Sequence, residues 1–303
     1  MSITRVTQGL MVTKALSNLH YQTRRLLQLQ EQLATGLRVN APSDDPLAAR
    51  RAIDIRQTMS REDQYLGNIS GANLQLIESV TAIQSVVESL QRANEITLQG
   101  SNGTMAQAQR DQLAVEANQL LESVLMEVNH QTNGRYIFGG TRTLTAPYVP
   151  TRNPQGEITA VAYAGNLEQI AVAVADGVSV VVNTTGQSAF QSTQDVMQLL
   201  IDIRDNLRSS DLPALQQRLA ELKRAQDQAL ASVARIGATQ NRLERLTANT
   251  EDHLQQLQVA LSDAIEADYA ETVMNLNAQT NAFQAALNAS ARVIQQSLLD
   301  YVR

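Results

Sequence analysis

The sequence predicts a mainly α protein: a long antiparallel helical bundle or coiled-coil rod built from both chain ends, with a small β-rich domain inserted between them. Three observations carry that expectation. Apolar residues recur at alternating spacings of three and four through residues 12–37, 69–94 and much of 213–303, the pattern with which a helix buries a seam against a partner helix. At Asn133 this periodicity gives way to strand-like alternation that lasts to about residue 190. The 303 residues include no Trp, 7 Tyr and 3 Phe although 43% are hydrophobic, so Leu, Val, Ile and Ala must do the packing, which suits thin helical layers better than a bulky globule.

Taken in order, Val12, Leu16, Leu19, Leu26, Leu33 and Leu37 form the first stripe, with Thr23 and Gln30 in the remaining seam positions and an interruption at Gly36. Pro42, Ser43, Asp44, Asp45 and Pro46 then stop one segment and start another. Asp45 is suited to cap free amides, Pro46 to the first helical position, and both carboxylates to the positive end of a helix dipole, so capping outweighs a catalytic carboxylate pair. A helix is expected from Pro46 to about Leu98, with Ile69, Asn73, Leu76, Val80, Ile83, Val87, Leu90 and Asn94 as its heptad seam. Gly100 to Gly103 make a turn, and Thr104 with Gln107 reads as a capping box for an antiparallel helix running to about Asn129.

Arg135 to Phe138 reads as a strand, and a turn at Asn153 to Gly156 precedes an alternating segment, Glu157 to Tyr163. Ile170, Val172 and Val174 alternate up to Asp176-Gly177, and Val178, Val180 and Val182 alternate after it, which is a strong hairpin signal. Helical periodicity returns near Asp195, breaks at Ser209 to Pro213 and then runs almost unbroken to Arg303. Leu215, Leu219, Leu222, Val233, Ile236 and Leu243 share one face of that run, and Phe283, Leu287, Ile294 and Leu298 another. The expected division is terminal arms at 1–40 and 260–303, a helical rod at 41–134 and 191–259, and a β-rich outer domain at 135–190. The first arm is basic through Arg5, Lys14, Arg24, Arg25 and Arg38, the last acidic through Asp263, Glu266, Asp268, Glu271 and Asp300, so the two suit each other. Solvated faces on both arms are the plainer alternative, because exposed ion pairs contribute little.

A formal net charge of −6 and a pI near 5.2 argue against nucleic-acid binding, which needs a concentrated basic surface, and against anionic membranes. No run approaches the roughly 18 to 20 apolar residues of a bilayer span, and residues 1–30 show no secretory apolar stretch. With no Cys, disulfides, thiolate metal sites and thiol nucleophiles are all excluded. His20, His130 and His253 stand apart, none with a partner at metal-ligand spacing. Gly186-Gln187-Ser188-Ala189-Phe190 fails as a nucleophile elbow at its last position, and Gly139-Gly140-Thr141-Arg142 lacks the spacing and Lys of a phosphate loop. Catalysis, a cofactor and a metal are therefore not expected.

Four segments resemble the flagellin superfamily. Leu33 to Pro46 is similar to the segment that follows the first terminal helix there, and Pro42, Asp44, Asp45 and Pro46 follow the variant of its hook-associated branch. Asn133-Gly134-Arg135-Tyr136-Ile137-Phe138-Gly139-Gly140-Thr141 resembles that branch's entry to its β domain. Ile265 to Thr272, with Asp268 and Tyr269, and Ser297 to Arg303 are similar to the superfamily's C-terminal helix. Flagellin itself is the runner-up; it usually has a small residue where Pro42 or Pro46 stands and lacks the Gly-Arg-Tyr-Ile-Phe entry. A cytoplasmic helical adaptor would share the heptads but has no reason for matched arms at both termini.

The resemblance implies a structural subunit outside the cell, at the junction of hook and filament, that self-assembles through its terminal helices. It further implies a first hook-associated protein on one side and flagellin on the other, export through the flagellar type III channel, and a cytoplasmic chaperone at the C-terminal helix. On this reading Val12, Leu16, Leu19, Leu26, Leu33, Leu37, Phe283, Leu287, Ile294 and Leu298 meet neighbouring subunits.

Overall fold

A computed structural model of the chain describes the backbone of residues 2–302 and the side chains of residues 10–292. It is mainly α, with a few short antiparallel strands. In order the elements are α1 (Ser2–Thr35), α2 (Pro46–Gly100), α3 (Gln107–Val128), β1 (Gln131–Thr132), β2 (Arg135–Tyr136), β3 (Tyr148–Arg152), β4 (Ile158–Tyr163), β5 (Ala171–Ala175), β6 (Val178–Val181), α4 (Gly186–Phe190), α5 (Val196–Ser209), α6 (Leu212–Ile265) and α7 (Tyr269–Val302). The chain divides into two compact units, residues 62–252 and residues 1–61 with 253–303.

In the 62–252 unit the buried side of α2 is Ile69, Ala72, Leu76, Ser79, Ile83, Val86, Leu90, Ala93 and Thr97, an unbroken alternation of three and four. Ile69, Leu76, Ile83 and Leu90 of it are in the predicted seam. Ala72, Ser79, Val86 and Ala93 lie one residue earlier than predicted: Ala72 and Ala93 are buried, whereas Asn73 and Asn94 are only half-buried. The reason is chemical, since a buried amide needs partners whereas Ala needs none and allows close helix approach. Val87 is buried beside the seam and Val80 half-buried, so α2 packs on more than one neighbour. On α6 the same alternation buries Leu222, Ala225, Ala229, Ser232, Ile236 and Leu243, while Leu219 and Val233 sit half-buried at its flank.

α3 returns antiparallel to α2, and Arg92 Nε reaches Glu116 Oε1 at 2.7 Å across the pair. The predicted capping box at Thr104 and Gln107 does not form. Ala106 stands before α3 with its N–H donating to Gln109 Oε1 (3.3 Å), and the Thr104 hydroxyl donates to Asn102 Oδ1 (2.9 Å) instead. The end of α2 is closed by Arg110, which the sequence reading passed over. Its buried guanidinium donates to Gly100 O (3.0 Å), Asn102 O (2.8 Å) and Ser210 Oγ (3.2 Å), placing positive charge where α2 leaves free carbonyls.

The strands form three separate antiparallel hairpins, β1-β2, β3-β4 and β5-β6. Asn133 (φ 53°) and Gly134 (φ 74°) make the first turn, and Gly177 (φ 66°) follows Asp176 in the last, where a left-handed backbone favours Gly. The predicted strand at Arg135 to Phe138 is shorter, because after Tyr136 the chain turns Ile137 and Phe138 into the core. β3 was not predicted: Pro150 hides it, as Pro is tolerated only at a sheet edge. That edge is held by Asn129, whose amide donates to Tyr148 O (2.9 Å) and accepts from Tyr148 N (2.9 Å), as a neighbouring strand would. Buried Arg204 ties α5 to β4 through Ile158 O (2.7 Å) and to α3 through Asn118 Oδ1 (3.0 Å).

Two consequences are testable. Arg208 grips Glu157 with two hydrogen bonds (2.9 and 2.5 Å) and holds its carboxyl down at about 2, against an ordinary 4.5. A depressed folded pKa adds stability that is present above the unfolded value and lost as pH falls through the folded one. Glu157→Gln should flatten the stability profile between those two values, by about 1 kcal/mol or less for a pair this exposed, and denaturant titrations at stepped pH would read it. The second concerns Tyr148, whose hydroxyl is buried with no hydrogen-bond partner among the described residues, and burial pushes its pKa above the usual tyrosine range. Tyr148→Phe is therefore expected to leave stability unchanged or raise it by about 1 kcal/mol. A loss of that size in urea denaturation would contradict this.

Candidate functional site

In the other unit, the two motif segments at opposite ends of the sequence meet. α1 stops at Thr35 because Gly36 turns left-handed (φ 72°), and α6 stops at Ile265. The last helical run, predicted as nearly unbroken, is in fact broken at Glu266 to Asp268. Into that break goes the segment after α1: Arg38 N donates to Ile265 O (2.7 Å), Ala267 N donates to Gly36 O (2.9 Å), and Leu37 faces Glu266 as a one-pair antiparallel bridge. Beneath the bridge Val39, Ala48, Ala52 and Ile265 are buried, with Leu37, Leu261 and Ala264 packed against them.

The polar residues of the first motif hold this clasp together. Asp44 Oδ2 accepts from Asn40 N (3.1 Å) and Ala41 N (2.9 Å), which forms the turn after Asn40. Asp45 Oδ1 accepts from Leu47 N (3.1 Å) and Ala48 N (3.0 Å), capping α2 just ahead of Pro46, and its Oδ2 lies 3.3 Å from Arg38. The Ala48 amide first, and Arg38 with the Leu47 amide after it, hold the Asp45 carboxyl below its ordinary range against the opposing effect of desolvation. Arg38 also donates to Ala264 O (2.8 Å), and Gln32 donates to Arg38 O (3.0 Å). Asp268 caps α7 by accepting from Glu271 N (3.1 Å), with exposed Tyr269 next to it. Asp44, Asp45 and Asp268 are thus all occupied with backbone amides. Replacing Asp45 with Ala removes the cap and should be read as faster hydrogen exchange in the first turns of α2.

From the clasp α1 and α7 run antiparallel and pack together. The inward side of α1 is Val12, Ala15, Leu19, Gln22, Leu26, Leu29 and Leu33, with Leu29 only 4% exposed. α7 answers with Thr272, Leu276, Gln279, Phe283, Ala286 and Ser290. As on α2, the alternate seam position lies one residue earlier than predicted, so Thr23 and Gln30 face solvent. Of the residues named from the sequence, Val12, Leu19, Leu26, Leu33, Leu37 and Phe283 are half-buried within the chain, while Leu16 (47%) and Leu287 (44%) point outward. Ile294 and Leu298 lie outside the described side chains. The opposite charges of the arms form no ion pair between α1 and α7 among the described side chains; the polar contact across the seam is Gln279 donating to Gln22 O at 3.2 Å. Leu29 was missed because the chosen stripe placed Gln30 in its position.

The remaining motif works in the 62–252 unit. Gly134 makes the β1-β2 turn, Arg135 and Tyr136 form β2, Phe138 enters the core, and Gly140 (φ 69°) leaves no room for a Cβ beside Asn166. Among the described residues no group of three or more His, Cys, Asp or Glu is placed to hold a metal, and no helix is long and apolar enough to cross a membrane.

Paired terminal helices, closed by a clasp between motifs near the two chain ends, are the arrangement expected from the resemblance to flagellins. Residues 6–143 match the family model for the bacterial flagellin N-terminal helical region, so the chain's likeness is to the flagellin superfamily. Within it the likeness is to hook-associated protein 3. The chain is 27% identical over 284 residues to flagellar hook-associated protein 3 of Escherichia coli K12, covering 86% of this chain and 87% of that protein. Its fold matches the structure of a flagellar hook-associated protein from Vibrio parahaemolyticus with a TM-score of 0.67 at 24% identity, over 74% of this chain and 100% of the other. It also matches the flagellar junction protein FlgL of Legionella pneumophila with a TM-score of 0.58 at 19% identity, over 71% and 99%.

Proposed function

We propose that the protein is a structural subunit of the bacterial flagellum that joins hook to filament. The observation that carries this reading is the closure of the Leu33 to Pro46 motif on the Ile265 to Asp268 break, which sends α1 and α7 off as a pair. That pair keeps apolar side chains, among them Leu10, Met11, Leu16, Tyr21, Leu27, Met274 and Leu287, on its outer side. Apolar side chains exposed along both paired helices are available to a neighbouring subunit. The inner seam of α1, from Val12 to Leu33, with Thr272 to Ser290 of α7 pairs the arms, and the outward residues meet neighbouring subunits. Its partners are copies of itself, the first hook-associated protein, flagellin, and an export chaperone at α7.

A strain lacking this protein tests the reading: it should build hooks, release flagellin into the medium and regain filaments when the protein is restored. The protein should also be recovered from shed flagella. Recovery only from the cytosol would support an adaptor and contradict the proposal.

A further inference from the structure

We infer that the cavity between the β5-β6 hairpin and α6 is a binding site for a small organic carboxylate. It lies wholly within the 62–252 unit and holds about 360 Å³, at the lower end of the roughly 300–1,000 Å³ of small-molecule pockets. Its apolar walls are Leu76 of α2, Ile236 of α6, and Leu167 and Val181 beside them.

The polar lining supplies donors and no carboxylate. Arg235 of α6 has no acidic partner among the described residues. Its guanidinium donates to Ala231 O (3.4 Å) and Ser232 Oγ (3.1 Å), both on its own helix, which leaves most of its five N–H groups unspent. Thr185 is only 8% exposed, and its hydroxyl accepts from Ser188 N (3.3 Å) but donates to nothing among the described residues. The side chains of Gln169 and Thr184 are also without a hydrogen bond there. Glu168, next to Gln169 in the chain, is turned elsewhere: its carboxylate accepts from the Thr141 hydroxyl (2.5 Å) and the Asn166 amide (3.2 Å).

A guanidinium fork, two hydroxyls and an amide set among apolar walls suit one negative charge on a hydrocarbon body. A phosphate group, nearly doubly charged, would call for a second cation, and among the described residues Arg235 is the one charged side chain that lines the cavity. A bound acid would join the segment after β6 to α6 and so stabilise the 62–252 unit.

The test uses the isolated full-length chain with sodium butyrate as probe, and neither the terminal arms nor the flagellar reading enters it. Titration followed by amide NMR should give saturable shifts at Gln169, Thr184, Thr185 and Arg235. Butyramide, of the same shape but neutral, and sodium chloride at equal ionic strength should give no saturable shift there. Arg235 is exposed, so Arg235→Gln should fold as the wild type does while binding butyrate about tenfold more weakly or worse. Arg235→Lys, which keeps the charge without the fork, should fall between the two. Phenylglyoxal, which modifies arginine, gives a second readout: butyrate should slow modification of Arg235 and leave exposed Arg242 on the same helix unaffected. The inference is overturned if butyrate causes no saturable shift at these residues, if butyramide or chloride matches it, or if Arg235→Gln binds as well as the wild type. Protection of Arg235 in shed flagella without added acid would put a neighbouring chain's carboxylate in the cavity, and would equally overturn a site for a free acid.

Discussion

Phe138→Ala is expected to destabilise the 62–252 unit by about 3–5 kcal/mol, the usual cost of removing a fully buried aromatic ring. Phe138 has no exposed surface; its ring lies 5.1 Å from that of Phe190 at 77°, an edge-to-face arrangement, and Tyr148 packs 6.5 Å from Phe190 with its own ring 5.2 Å from Tyr163. In a chain with so few aromatics, this group is where the β hairpins, α4 and the helices share one core. The backbone around it cannot close the resulting space, because Phe138 O accepts hydrogen bonds from Gly186 N (2.8 Å) and the Tyr163 hydroxyl (3.0 Å). Urea denaturation would measure the effect, with exposed Val149→Ala as a control expected to change stability by about 0.5 kcal/mol or less. A loss below about 1.5 kcal/mol for Phe138→Ala would mean that this aromatic group is not the centre of the core.

The second large effect is on assembly. Replacing Phe283, Leu287, Ile294 and Leu298 with polar residues should abolish filament retention while leaving the thermal midpoint of the isolated chain almost unmoved. Each such side chain contributes roughly 1.5–3 kcal/mol when fully buried, so losing four exceeds what a subunit interface tolerates. Phe283 faces α1 and Leu287 faces outward, so the lesion weakens arm pairing and, on the proposed assembly, subunit contact as well. Cells carrying the variant should build hooks and release flagellin. The matched lesion at Leu76 and Val80, within and beside the buried seam of α2, should lower the midpoint sharply. A C-terminal variant that melts as badly as the α2 variant, or that swims normally, would contradict the division between folding core and assembly arms.

The helices were legible because heptad spacing is a direct image of burial, and the Asp176-Gly177 hairpin because its turn chemistry leaves little choice. Seam register was half legible. Leu19, Leu26, Ile69, Leu76 and Ile83 are unmistakable, but their alternate partners are Ala15, Gln22, Ala72 and Ser79, whose small or polar side chains give no hydrophobic signal. The same limit hid Leu29. β3 and α4 were lost to Pro150 and to a length of five residues. The α6–α7 break was invisible to periodicity because Ile265 to Thr272 continues a helical pattern. Asp268 was available as a cap signal, yet only the docking of Leu37 and Arg38 gives the opened backbone its partners. Arg110 and Arg204 read as ordinary surface charges, since nothing local in the sequence marks the carbonyls that bury them. The motif residues were found through resemblance, and their physical work as caps, turns and core became visible only with the fold.

The most direct measurement is electron microscopy of intact flagella with gold label on an exposed position of this protein, such as Leu144 changed to Cys in the otherwise Cys-free chain. The account predicts label confined to a narrow band where hook meets filament. Label distributed along the filament would show a flagellin-like subunit, and flagella without label would leave the protein outside the structure altogether; either result contradicts a junction protein built from clasped terminal arms.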